Sequence, residues 1–331
     1  MKGIRAILAE VFKPGLCVGC GGCVGLCPYI SFYDGKVIYT DECTRDEGRC
    51  YEVCPRIQCS IGQVDEEPIG PYLAILRSRA RNTEIRQTTQ YGGTITALIL
   101  LALKEGLIKK AVLTSDDSQG APSGVIAQTE EEVMACSGSR YVGAGSLEAF
   151  NRAVKEETIP CGIVGLPCQA ESLRSMQASP LSHPQHKDSV TIVLGLFCTW
   201  SLDYRSLNRF LKEKNLKTPI IKYDIPPPPA NVFQVTTRDK ETIEFPLDDI
   251  RSFVMPGCAF CRDMTAEKAD LSVGTVEGME EWNTLIIRTK IGQELLELAD
   301  KKGVLELEQL PRSNLEHLKE ASLAKRRRKP H

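Results

Sequence analysis

The sequence predicts an α/β (mixed α+β) protein, a small cysteine-dense module followed by a larger mixed-sheet domain. Three observations predict it. Eight of the 14 cysteines fall within residues 17–59. The acidic, Gly/Pro-containing DEEPIGP at 65–71 then reads as a linker. Beyond it, strand-like and helix-like segments alternate. The expected domains are 1–65, 72–310, and a C-terminal helix with a basic tail at 311–331.

The elements follow in order. YLAILRSRA (72–80) is a strand. Gly92-Gly93 opens the helix TITALILLALKE, which Gly106 stops. That helix is apolar nearly all round, so it is expected to be buried on most sides. KKAVLTS (109–115) is a strand, and Thr129-x-x-Glu132 is a capping box before a short helix. TIPCGIVGL (158–166) and VTIVLGLF (190–197) are continuous apolar strands of a covered sheet. Helices are expected at Gln169–Met176 and Leu202–Lys214. IPPPP (225–229) is a stiff loop. Residues 231–247 read as a hairpin turning at Arg238-Asp239-Lys240. LSVGTV (271–276) and TLIIRT (284–289) are strands, and IGQELLELADKK (291–302) is an amphipathic helix. The tail KRRRKPH (325–331) reads as a solvated charge run, with a docking patch as the alternative.

Composition excludes several classes. Hydrophobic residues make up 42% and charged residues 25%, with a net charge of −2. There is no global attraction to nucleic acid or anionic membrane. The longest apolar run, ITALILLAL (95–103), falls far short of the ~20 residues of a membrane span. MKGIRAILAEVF reads as mature sequence because it lacks a small-residue cleavage site. A disulfide scaffold is disfavoured, because the chain can bury a core without staples and its cysteines stand at metal-ligand spacings. A reducing, cytoplasmic location follows, at the periphery of a membrane complex if the partner is membrane-bound.

LCVGCGGCVGLCPY (16–29) contains Cys17-x2-Cys20-x2-Cys23-x3-Cys27-Pro28. This is the bacterial ferredoxin run, which makes the module ferredoxin-like. Glycines 19, 21 and 22 let three sulfurs wrap one face of a cubane. The cysteine before proline leads to the other cluster. The expected sets are Cys17, Cys20, Cys23 and Cys54 on one cluster, and Cys27, Cys43 and Cys50 on the other. A structural zinc site would favour two separated CxxC pairs instead. The second half, CTRDEGRCYEVCPR (43–56), has three cysteines where a standard half has four. Glu47 stands at the missing position. The fourth ligand is left open between Cys59, Asp46 and Glu47, with a three-iron cluster as a further alternative.

Four more cysteines sit in GLPCQ, GLFC and PGCAFC. Cys168 and Cys198 follow apolar strands, and strand C-terminal ends face ligand crevices. Cys258 and Cys261 form a CxxC on a Pro-Gly turn. The residues leave two readings open. One is a single metal site; the other is two buried cysteines beside a redox dithiol.

QTTQYGGTITALILLALKEGLIKKAVLT, GSRY, VGLPCQ, GLFC and CAFCRDMTAEKADLSVG occur together and in this order. On these motifs the chain resembles the coenzyme F420 hydrogenase/dehydrogenase beta-subunit family over residues 1 to roughly 300. The resemblance is to members that carry an N-terminal two-cluster module. It implies that the large domain is a flavin domain holding FAD, with a [4Fe–4S] cluster on Cys168, Cys198, Cys258 and Cys261, so three such clusters in all. It implies flavin contacts from Gln90, Gly92, Gly93, Thr94 and Thr96, from Ser137, Ser139, Arg140 and Tyr141, and from Asp270 and Gly274. Tyr91 and Arg140 depart from the residues expected in those motifs. The chemistry of these residue types is compatible. A Gly-Gly helix start can receive a pyrophosphate, and a glycine inside a strand often marks close approach of a ligand. No GxGxxG fingerprint is present.

The implied activity is that of a flavin iron–sulfur oxidoreductase subunit. Electrons would pass between coenzyme F420 and a partner of formate dehydrogenase, hydrogenase, heterodisulfide-reductase or membrane oxidoreductase type. Two alternatives are a subunit that wires electrons without flavin, and a reductase acting on another hydride partner.

Overall fold

The structure, a computed structural model, describes all residues except 1–2, 42, 44, 58–66, 117–119, 217, 227–229 and 329–331. The chain opens with α1 (Ile4–Ile7), which widens into a π-type turn over Leu8–Phe12. Ile4, Ile7 and Val11 fall at helical spacing and are buried. Strands β1 (Ile30–Tyr33) and β2 (Lys36–Tyr39) pair as an antiparallel hairpin. Its turn, Asp34-Gly35, has both φ values positive, as a tight hairpin turn requires. A short helix, α2 (Arg49–Glu52), follows.

The large domain then runs β3 (Ala74–Ala80), α3 (Thr83–Thr88), α4 (Thr94–Lys104), β4 (Lys110–Asp116), β5 (Pro122–Ala127), α5 (Glu130–Ala135) and α6 (Leu147–Ala153). It continues with β6 (Cys161–Gly165), α7 (Pro167–Ala178), α8 (Pro184–Asp188), β7 (Val190–Leu196), α9 (Tyr204–Glu213), β8 (Ile220–Asp224), β9 (Val232–Thr237), β10 (Thr242–Pro246) and α10 (Leu247–Arg251). The last elements are β11 (Leu271–Thr275), β12 (Asn283–Ile287), α11 (Lys290–Lys301), β13 (Leu305–Gln309) and α12 (Arg312–Arg327).

One mixed sheet has the strand order β13-β3-β12-β11-β7-β6-β4-β5. Its centre, β4, β6, β7 and β11, is parallel, and both flanks are antiparallel. The apolar runs explain the parallel centre, since β6 and β7 are covered on both faces. Helix α4 buries Ala97, Leu98, Ile99, Leu101 and Ala102, more than one face. Thr129 Oγ1 accepts from Glu132 N–H (3.3 Å), and Glu132 Oε2 accepts from Thr129 N–H (3.2 Å), so the capping box forms. The hairpin at 231–247 is present, but it joins β8 in a separate three-stranded sheet.

The N-terminal module and the large domain share one core. Ile4, Val11, Val24 and Val53 pack in the same cluster as Leu147, Phe150, Ile163, Leu173 and Met176. Glycine makes the close seam possible. A Cβ on Gly21 would stand 2.4 Å from Gly145 O, and one on Gly22 would stand 2.0 Å from Ser172 Oγ. Asn151 Nδ2 donates to Gly22 O (3.0 Å) and Val24 O (2.7 Å) across the same seam.

The stretch read as a linker is held tightly where it is described. Ile69 is fully buried, and its carbonyl accepts from Thr265 Oγ1 and Arg288 Nη1. The basic tail needs a correction, because Lys325 and Arg326 are not solvated. Each is 2% exposed, on the inner face of α12. The helix carries them into the protein because its Leu318 and Ser322 dock against the 67–69 segment.

Candidate functional site

Parallel neighbours β6 and β7 end on one edge of the sheet. Cys168 lies in the first turn of α7, just past β6, and Cys198 lies just past β7. Cys258 sits in a 3-10 turn, Pro256–Phe260, with Cys261 directly after it. Backbone bonds tie these segments together. Met255 N–H donates to Ser201 O, and Cys198 N–H donates to Met264 O, each at 2.9 Å. Cys198, Cys258 and Cys261 all lie near enough to Cys168 to act on its thiol. Burial pushes Cys168 well above the usual thiol range, and nearby Cys20, Cys198, Cys261 and Cys258 push it further. Burial likewise pushes Cys198 up to about 12.

Cys17, Cys20, Cys23 and Cys54 line one small cavity walled by Ile7, Val11, Phe12 and Val53. Burial raises Cys17, Cys20 and Cys23, and pushes Cys54 up to about 11. Cys50 is pushed up to about 11 by burial and by its neighbours Cys27 and Cys43. The guanidinium of Arg49 stands beside Cys27 and Cys50 and donates to Leu26 O (3.0 Å). Cys59 lies outside the described residues, while Asp46 and Glu47 are exposed. The geometry therefore leaves the fourth ligand of this set open.

Three thiol sets thus lie in series. Cys168 neighbours Cys20, Cys17 neighbours Cys258, and Cys23 neighbours Cys50. The donor chemistry fits iron–sulfur clusters, because buried thiols that resist ionising alone become thiolates when they bind a metal. Among the described residues, no three His, Cys, Asp or Glu side chains gather as closely as ligands of one metal ion would. A cubane tolerates wider spacing, because each thiolate takes a different iron.

Positive charge backs the set on Cys168, Cys198, Cys258 and Cys261, the third in chain order. Lys325 Nζ donates to Cys198 O (2.6 Å) and Asp263 O (2.7 Å). Burial alone would lower this ammonium's pKa, but Cys198, Cys261 and Asp263 hold it above its ordinary value. Arg326 Nη2 pairs with Glu267 Oε1 (2.6 Å) and donates to Glu67 O (3.0 Å). Arg288 reaches Ser272, Ile69, Pro71 and Thr265. Burial lowers its pKa to about 10 and raises that of Glu267 to about 7.

Two of the three stretches expected to contact flavin meet at the end of β8. Tyr91 Oη (3.2 Å) and Tyr141 Oη (3.3 Å) both donate to Asp224 Oδ1, and Gln90 Nε2 donates to Tyr223 O (3.1 Å). Burial raises the pKa of both tyrosines, with Asp224 adding, so both phenols keep their protons. Gln90 Oε1 and Ser137 Oγ are buried without a hydrogen-bond partner among the described residues. One such orphan on each of the two turns that meet at Asp224 suits a polar ligand edge. Arg140 is held by Asp116 (3.1 Å), and Ser139 and Thr96 are half-buried.

The remaining expected contacts are occupied by the protein itself. Thr94 is fully buried; its hydroxyl meets Ser78 Oγ (2.9 Å) and its N–H meets Asn283 Oδ1 (3.2 Å). A Cβ on Gly92 would crowd Asn283 Oδ1 at 2.7 Å, and Gly93 adopts φ +74. Asp270 Oδ2 accepts from Val193 N–H (2.7 Å) and Arg174 (2.9 Å), and its Oδ1 accepts from Thr289 (2.8 Å). The close approach at Gly274 comes from the ring of Phe197, 1.9 Å from where a Cβ would be.

Sequence reasoning misses Lys325, Arg288, Asp224 and Asn283. Asn283 joins two of the expected stretches, donating to Gly274 O (3.3 Å) while accepting from Thr94. For Lys325 a signal exists. Leu315, Leu318, Ser322 and Lys325 fall at i, i+3, i+7 and i+10, one face of a helix.

Two family models match the large domain. "Coenzyme F420 hydrogenase/dehydrogenase, beta subunit N-term" covers residues 75–151, and the model of the C terminus of the same beta subunit covers 160–313. The chain is 31% identical over 242 residues to the coenzyme F420 hydrogenase beta subunit of Methanothermobacter thermautotrophicus, covering 72% of this chain and 85% of that one. It is 29% identical to the coenzyme F420-dependent sulfite reductase of Methanocaldococcus jannaschii, covering 94% of this chain and 51% of that one. A chain of the F420-reducing [NiFe] hydrogenase complex from Methanosarcina barkeri superposes with TM-score 0.74 at 26% identity, covering 80% of this chain and 92% of that chain.

Proposed function

Because this chain belongs to the coenzyme F420 hydrogenase/dehydrogenase beta-subunit family, we propose that it is a flavin- and iron–sulfur-carrying subunit moving electrons between coenzyme F420 and a partner redox subunit. The observation that carries this reading is the serial arrangement of the three thiol sets. When bound, FAD supplies hydride exchange with F420, and three [4Fe–4S] clusters supply one-electron transfer.

The residues divide the work. Cys168, Cys198, Cys258 and Cys261 would hold the cluster nearest the flavin. Cys17, Cys20, Cys23 and Cys54 would hold the middle one. Cys27, Cys43 and Cys50, with one further ligand, would hold the outermost. Gln90 Oε1 and Ser137 Oγ are placed to meet polar flavin edges. Asp224 fixes Tyr91 and Tyr141 and so shapes the wall between their turns. Apolar side chains around Cys20, Met255 and Cys258 exclude water between the first and third sets.

Among the described residues no helix is long and apolar enough to cross a membrane. The chain would work in the cytoplasm, docked on a hydrogenase, formate dehydrogenase, heterodisulfide-reductase or membrane oxidoreductase type of partner, with sulfite reduction a further outlet given the relative of that name.

A second reading keeps the clusters without flavin. It is favoured by the internal engagement of Thr94 and Asp270 and by Phe197 covering Gly274. Anaerobic iron, sulfide and flavin analysis separates the two. The expected content is about twelve irons, from three cubanes, and one FAD per chain, with flavin bands that bleach on adding reduced F420. Iron without flavin supports the second reading, and a colourless protein overturns both.

A further inference from the structure

Helix α12 lies almost wholly beyond the family-model match, which ends at residue 313. Yet it delivers a lysine into the third thiol set. Ser322 Oγ donates to Pro68 O (2.6 Å), and Arg326 pairs with Glu267 (2.6 Å), so the helix is pinned on either side of Lys325. The Lys325 side chain is 2% exposed. Its two hydrogen bonds go to the backbone carbonyls of Cys198 and Asp263, one in each loop that carries the set. Asp263 is the nearest carboxylate, but its oxygens accept from Thr265 N–H (3.0 Å) and Glu267 N–H (2.9 Å). Carbonyls stabilise an ammonium without neutralising it, and Asp263 makes no direct ion pair with it among the described residues, so the buried charge is only partly compensated. An anionic thiolate-ligated centre beside it would supply a counterion.

We infer that Lys325 is a positioning residue for the centre on Cys168, Cys198, Cys258 and Cys261, its buried positive charge raising that centre's reduction potential. The inference rests on the iron–sulfur assignment proposed above. Reduction of the centre adds one electron, from reduced flavin or from dithionite in a titration, and no proton. The centre becomes more negative by one charge, so a fixed cation nearby favours the reduced form.

The test uses the full chain, reconstituted anaerobically with iron and sulfide, as wild type, Lys325→Met, Lys325→Gln and Lys325→Arg. Iron content, thermal melting and an EPR-monitored redox titration are read together. In Lys325→Met and Lys325→Gln, one centre is expected to shift to lower potential while the others stay. The expected shift is about tenfold in the reduced-to-oxidised ratio, or about 59 mV for one electron, and Lys325→Arg should recover most of it. Loss of that centre's iron alone in the two neutral variants, with melting unchanged and Lys325→Arg retaining iron, also supports the inference. Unmoved potentials with iron retained overturn it. So does loss of that iron in all three variants, or failure of both neutral variants to fold, which makes the residue structural. A Cys168→Ser chain that keeps all its iron overturns the cluster assignment itself.

Discussion

Cys20, in the first cysteine loop, and Cys168, in the first turn of α7, pack into one small apolar cluster with Met255 and Cys258. Their thiols lie close enough that Cys20 is the first neighbour after burial itself to raise the pKa of Cys168. The two motifs are far apart in sequence, so their meeting joins the N-terminal module to the sheet edge at the point where electrons would cross.

Replacing Cys168 or Cys258 by serine is expected to remove about four irons per chain, the content of one cubane, and to leave the N-terminal centres in place. Iron and sulfide analysis with EPR checks this. A uniform loss of all iron would instead mean that the centres assemble together.

Gln90 and Ser137 give a test of the flavin. Ser137→Ala removes a buried oxygen that has no partner among the described residues, so it should leave the melting temperature of flavin-free protein unchanged or raised. Gln90→Leu removes the unpartnered Oε1 but also the Nε2 bond to Tyr223 O, and should lower it slightly. If flavin meets these atoms, each substitution should weaken FAD binding by about 1–2 kcal/mol, roughly tenfold or somewhat more. Isothermal titration with FAD measures it.

Gly22 tests the seam between module and sheet. Gly22→Ala would drive a methyl to 2.0 Å from Ser172 Oγ, and is expected to destabilise the protein by about 1–3 kcal/mol. Adding Ser172→Ala removes the clashing oxygen and should restore most of the loss. Melting of the two single variants and the double variant supplies the cycle.

Glu267 gives a pH dependence. Burial, with Asp263 adding, raises its folded pKa to about 7 from an ordinary value of 4.5. Between those values the folded state binds more protons than the unfolded state, so stability falls as pH rises. The contribution is greatest below pH 4.5, and its loss is complete above about pH 7. Asp263 is shifted in the same direction. Melting temperature should therefore be higher at pH 6 than at pH 8 from this group, and Glu267→Gln should narrow the difference.

Much of this is legible in the sequence, for identifiable reasons. Three cysteines within one short loop, Cys17, Cys20 and Cys23, announce themselves by spacing, whereas Cys168, Cys198, Cys258 and Cys261 are scattered along the chain. The apolar runs at β6 and β7 announce a covered parallel sheet. Strands β5, β8 and β13 escape sequence reasoning because they carry polar residues or a proline at sheet edges, where burial imposes no strict pattern. Gly274 reads as room for a ligand, whereas its space is taken by Phe197. Lys325 reads as solvated because lysine nearly always is. Burial of its charge follows only from the way α12 lies over the 67–69 segment and the Cys198 loop.

The glycine seam has a consequence for the proposed electron relay. Gly21 stands against Gly145 backbone to backbone, and Gly145 N–H is bonded to Gly19 O at 3.1 Å. The loop bearing Cys17, Cys20 and Cys23 therefore cannot swing away from the sheet edge without breaking main-chain contacts. The placement of those thiols against Cys168 is thus tied to the main chain. In the proposed relay, passage between them would be tunnelling over a span that the main chain holds.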